Sequence, residues 1–169
     1  MNMSRKSSHT SRKPGRKPLT RDMLLPLPVA ETRPISLENH LALVAMRGGH
    51  GNADLMICLL KAVYLSYFLH EAAYGRTGLD PFREAEAVLQ HSVTRAERNE
   101  GWWIPQADSA ILEAILTLYD GQLASMPAHV LAAARARLQR YLASDLISPI
   151  PPRQKQKAVS QPAGENSFV

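Results

Sequence analysis

The stretch Ala53-Asp54-Leu55-Met56-Ile57-Cys58-Leu59-Leu60-Lys61-Ala62-Val63-Tyr64-Leu65-Ser66-Tyr67-Phe68-Leu69 decides the reading of this chain. From Leu55 onward it is apolar on nearly every side of a helical projection, broken only by Lys61 and Ser66. A helix without a polar face has to be covered all round, which makes it the central helix of a bundle. Asn52 supplies an N-cap and Gly75 a stop, so the helix is predicted to run toward Tyr74. A membrane span is the competing reading. At 17 residues, with Asp54 and Lys61 inside, the stretch falls short of the roughly 20 apolar residues a span needs, and intramembrane charge is costly. No membrane association is expected.

Working outward, Gly48-Gly49-His50-Gly51 reads as a turn, preceded by a helix from an N-cap at Ser36 to about Met46. Leu37, Leu41 and Val44, with Leu43 as a further candidate, are expected on its inner side. Pro26, Pro28 and Pro34 predict an extended segment over 24–34, a linker or a clasp. Downstream, Asp80-Pro81 opens a third helix to about Asn99, with Phe82, Ala85, Leu89, Val93 and Ala96 spaced for one buried stripe. Trp102, Trp103 and Ile104 form an apolar corner. A fourth helix follows Pro105, capped by Asp108 or Ser109, with Ile111, Leu112, Ile115, Leu116, Leu118, Tyr119 and Leu123 as its apolar positions. A fifth begins at Pro127, with Ser125 as a possible cap, and runs to about Ala143. Its inward set is Val130, Leu131, Ala134, Leu138, Tyr141 and Leu142. Pro149, Pro151 and Pro152 then exclude helix. No internal repeat, heptad array or strand alternation is visible. The expectation is therefore all-α, an antiparallel bundle of about five helices with disordered tails: 1–34 a basic disordered tail and Pro-rich linker, 35–147 the helical domain, 148–169 a disordered C-terminal tail.

The 169 residues, 45% hydrophobic and 21% charged, suffice for one such core. The single Cys58 cannot form an internal disulfide, and no apolar stretch follows the N-terminal cations, so the expected compartment is a reducing one, the cytoplasm. The net charge of +5 is unevenly placed. Residues 1–21 carry +7 with no acid, residues 22–148 carry −4, and residues 149–169 carry +2. The basicity belongs to the tails.

Within the N-terminal tail, Arg12-Lys13-Pro14-Gly15-Arg16-Lys17-Pro18 alternates cations with Pro and Gly. It resembles the AT-hook, a minor-groove motif built on Arg-Gly-Arg-Pro. In that motif the glycine lets the backbone lie in the narrow groove while arginines reach along A·T pairs. Gly15, Arg16 and Pro18 match in type, whereas Pro14 stands where the first arginine would be and Lys17 is inserted before the proline. Arg12, Lys13, Gly15, Arg16 and Lys17 are the candidate nucleic-acid-binding residues. Even without groove reading, such a tail neutralises phosphates in a salt-dependent way. The plainer alternative is a solubilising tail, or an arm for an acidic protein surface.

Residues 41–55, two helical stretches meeting at a glycine turn, invite comparison with a helix-turn-helix. The spacing of Ala45 and Gly49 suits one, but the next helix opens Leu-Met-Ile-Cys-Leu-Leu from 55 to 60, which offers base edges no polar side chain. A buried hairpin is the expectation. Leu37-Glu38-Asn39-His40-Leu41-Ala42-Leu43-Val44, Gly48-Gly49-His50-Gly51-Asn52 and Tyr64-Leu65-Ser66-Tyr67-Phe68-Leu69 resemble small proteobacterial helical proteins labelled Fis-type transcriptional regulators. The resemblance implies DNA-associated regulation and no catalytic centre.

No enzyme signature is present. His9, His40, His50, His70, His91 and His129 are scattered singly, without Cys pairs or HExxH spacing, so neither a metal nor another cofactor is expected. Cys58 lacks a flanking base, and burial should raise its pKa and leave it inert. Glu84 and Glu86 diverge on a helix, and Glu97 and Glu100 sit in a charge cluster with Arg95 and Arg98. Gly48-Gly49-His50-Gly51 lacks the strand and the Lys-Ser/Thr of a phosphate loop. The leading expectation is a DNA-associated regulatory protein whose body packs or forms a homodimer. The alternative is a helical protein–protein adaptor, effector or inhibitor with no DNA binding.

Overall fold

The computed structural model describes residues 18–153. A short 3-10 turn, Asp22–Leu24, precedes five helices: α1 Val29–Arg47, α2 Ala53–Tyr74, α3 Asp80–Glu97, α4 Gln106–Ser125 and α5 Ala128–Leu142. The fold is all-α, and no strand occurs among the described residues. α2 packs against each of the other four helices, α1 and α3 also pack on α4, and α5 rests on α2 and the 3-10 turn. The central position expected of α2 is therefore observed. Asn52 caps it, its side chain accepting from the Leu55 amide at 2.9 Å. At 22 residues α2 is longer than its uninterrupted apolar run, and by length and composition it is the one described helix able to cross a membrane. Here Met56, Leu59, Val63, Tyr67 and Leu69 lie in the protein core.

α1 departs most from expectation. It begins at Val29, seven residues before Ser36, and Pro34 lies inside it. Pro28 is the N-cap, its carbonyl taking the first-turn amides of Glu31 and Thr32. Proline in a helix removes the bond to the carbonyl four residues back. That carbonyl belongs to Ala30 and Pro34 is exposed, so water can satisfy the group left over. The inward face is also different. Asn39, Ala42, Leu43 and Met46 are buried, whereas Leu37, Leu41 and Val44 are 58%, 57% and 61% exposed. Of the expected set only Leu43 faces the core.

Smaller corrections follow the same logic. α4 starts at Gln106 with Pro105 as its cap residue, and Ser109 is buried within the first turns, donating to the Gln106 carbonyl at 2.9 Å. Ser125 remains the last residue of α4, bonded back to the Gly121 carbonyl, while Pro127 is the residue that precedes α5. On α3 the buried stripe is Phe82, Ala85, Val88, Leu89 and Ser92, and the helix ends at Glu97 because Asn99 turns left-handed at φ 62°. Leu118 and Leu142 lie largely outside the core.

The C-terminal segment was expected to be disordered from residue 148, yet it packs through Arg153. Ile150 is buried, Arg83 Nε donates to the Pro151 carbonyl at 2.8 Å, and Arg153 pairs with Asp80 at 3.0 Å. Prolines suit such a strap because they carry no N–H that must find a partner on an apolar surface.

Candidate nucleic-acid interface

Arg12, Lys13, Gly15, Arg16 and Lys17 all lie outside the described residues. What the structure describes is the anchorage of the segment that follows them. Over Thr20–Leu25 three amides bond to carbonyls three residues back, forming the 3-10 turn. The turn is fastened to the start of α5 by two contacts: the Ala128 amide donates to the Leu25 carbonyl at 2.8 Å, and His129 Nδ1 lies 2.8 Å from the Met23 carbonyl. An isolated β-bridge pairs Pro26 with Pro127. The first amides of a helix have no partner inside it, and here one of them is taken by the incoming linker.

α5 differs from the other four helices in charge. It contains Arg135, Arg137 and Arg140 and no acid, and none occurs from Gly121 to Ser144. Arg137 is committed inward, pairing with Glu71 and lying with its guanidinium 4.4 Å from the centre of the Phe68 ring. Burial works against the Glu71 charge, but hydrogen bonds from Arg76 and Arg137 hold its carboxyl below the ordinary carboxylate range. Arg135 and Arg140 are exposed and pair with no acid among the described residues. Of the two, Arg140 lines an open groove of about 340 Å³ with Phe68, Arg137, Tyr141, Ser144, Leu146 and Pro149.

The glycine turn between α1 and α2 is structural. A Cβ on Gly51 would sit 2.2 Å from the Trp102 carbonyl oxygen and 2.5 Å from Met46 Sδ, and the Ile104 amide bonds to the Met46 carbonyl at 3.1 Å. The turn and the Trp102–Ile104 corner thus lock together. Trp102 packs against the core and Trp103 lies under the Arg95 guanidinium at 4.6 Å. The His50 amide closes the end of α1 on the Ala45 carbonyl.

The chemistry-bearing candidates remain apart. Among the described residues no group of three or more His, Cys, Asp and Glu side chains is placed to hold a metal ion. Cys58 is half-buried and donates to Asn39 Oδ1 at 3.3 Å; burial, reinforced by the nearby Glu38 charge, raises its pKa. His40 pairs with Asp120 at 2.8 Å, tying α1 to α4. Tyr64 donates to Glu86 at 2.7 Å, tying α2 to α3. Each is a tie between helices. No protein-family model, no curated protein and no solved structure matches the chain.

Proposed function

We propose that this chain is a DNA-associated regulatory protein whose N-terminal arm, through Arg12, Lys13, Gly15, Arg16 and Lys17, contacts phosphates or the minor groove. The observation that carries the reading is the segregation of charge: seven cations and no acid over residues 1–21, on a body whose residues 22–148 are net acidic. Cations gathered on one segment release counterions from a polyanion together, which gives salt-dependent affinity without a folded reading head. The way the arm joins the body adds support. The linker that follows it is fastened at Ala128 and His129 to the start of α5, a helix that carries three arginines and no acid.

The test is duplex binding by fluorescence anisotropy, comparing the full chain with a variant carrying Arg12→Ala, Lys13→Ala, Arg16→Ala and Lys17→Ala. The full chain is expected to bind with an affinity that falls steeply with salt, and the variant to lose most of it. Equal binding by both, or binding by neither, sinks the arm reading and leaves the protein-adaptor alternative. A preference for A·T-rich duplex identifies groove contact as distinct from phosphate contact alone.

A further inference from the structure

We propose that the outer face of α1 is a homodimer interface in which two copies pair their α1 helices side by side and parallel. Leu37, Leu41 and Val44, each more than half exposed, are spaced four and three residues apart and lie opposite the buried Asn39, Ala42, Leu43 and Met46. That spacing is the a/d seam of a two-stranded coiled coil, with Leu41 at a and Leu37 and Val44 at d. Because α1 continues through Pro34 to Val29, the register extends N-terminally to Pro34 at a, Arg33 at g and Ala30 at d, all three exposed.

The flanks identify a second copy as the occupant. In the same register Glu31 and Glu38 occupy e, and Arg33, His40 and Arg47 occupy g. His40 and Arg47 are held by Asp120 and Glu113 of α4, leaving Arg33 as the cation at the seam. Neither Arg33 nor Glu38 forms an ion pair with another described residue, and both are exposed. In a parallel pair each g residue meets the e residue five positions later on its partner. Arg33 of each copy therefore meets Glu38 of the other, twice by symmetry, whereas antiparallel pairing sets like flanks against each other. Parallel pairing also brings both copies of Val29, and hence both linkers, to one end of the assembly. The proposal stands on α1 alone and holds whether or not the arm binds nucleic acid.

Sedimentation velocity of the full chain over a concentration series tests it. The expected result is a monomer–dimer equilibrium. Leu41→Glu should raise its dissociation constant on the order of a hundredfold with the circular dichroism unchanged, since the side chain is largely outside the core. Arg33→Glu and Glu38→Arg, each alone, should weaken it about tenfold. An equimolar mixture of those two variants should recover the dimer, because every facing pair is again of opposite sign. A monomer at all concentrations, or a dimer indifferent to Leu41→Glu, overturns the proposal. Failure of the mixture to recover overturns the parallel arrangement.

Discussion

Two glycines show how far local geometry decides the effect of one added methyl group. At Gly51 the position of a Cβ is already occupied by the Trp102 carbonyl oxygen, 2.2 Å away, and backbone cannot yield as a flexible side-chain end can. Gly51→Ala should therefore destabilise the protein by about 2 kcal/mol or more, read as a lowered urea midpoint. Gly121, within α4, has nothing within 4 Å of its Cβ position. Gly121→Ala should stabilise the protein by about 0.5–1 kcal/mol, read as a raised urea midpoint, because only the backbone entropy of the unfolded chain changes. Glu71 supplies a third residue-scale expectation. Its carboxyl is held below its ordinary value in the fold, so its ionised form contributes stability that is present above the ordinary carboxylate range and lost as pH falls through the folded value. Glu71→Gln should cost about 1–2 kcal/mol at neutral pH and flatten the acid limb of stability against pH, measured by urea unfolding from pH 7 down to pH 3. Parallel curves for the two proteins would contradict this.

At the scale of elements, the strap after α5 is the part whose contribution is easiest to isolate. Ile150 is its one deeply buried apolar side chain, and Ile150→Ala should destabilise by about 2–3 kcal/mol in thermal unfolding, with the bundle still helical. A shift within error would mean the strap is laid on the body without holding it. Neither the strap nor the first turn of α1 was legible in the sequence, for a shared reason. Proline reads as a helix breaker and a tail signal, while its actual cost depends on whether the freed carbonyl reaches water, as at Pro34, or whether the missing N–H is an advantage, as at Pro149 to Pro152. α2 was legible because its apolar run leaves no ambiguity of face, and Asn52 and Gly75 mark both ends. The inner side of α1 was misread because Leu37, Leu41 and Val44 outweigh Ala42 and Asn39 in hydrophobicity, yet the neighbouring α2 and α4 accept the smaller residues.

For the whole molecule, the quantity to measure is the salt dependence of duplex binding. If the four substituted arm cations each neutralise a phosphate, their removal should reduce the slope of log affinity against log salt by about 3 to 4. Arg135→Ala with Arg140→Ala tests whether α5 joins the contact, the expected reduction being about 1 to 2 for the pair. The candidate site was legible in the sequence only as a tally of charge. Its attachment was not, because a hydrogen bond from Ala128 to Leu25 spans more than a hundred residues and leaves no local pattern. The all-apolar girth of α2 bears on how the chain is made. During synthesis α2 leaves the ribosome after α1 and before α3, α4 and α5, so most of its cover does not yet exist. For that interval the nascent chain displays the apolar run from Leu55 to Leu69, the kind of transiently exposed surface for which chaperones exist. The order of the helices along the chain therefore leaves α2 to be covered by three helices that are all made after it.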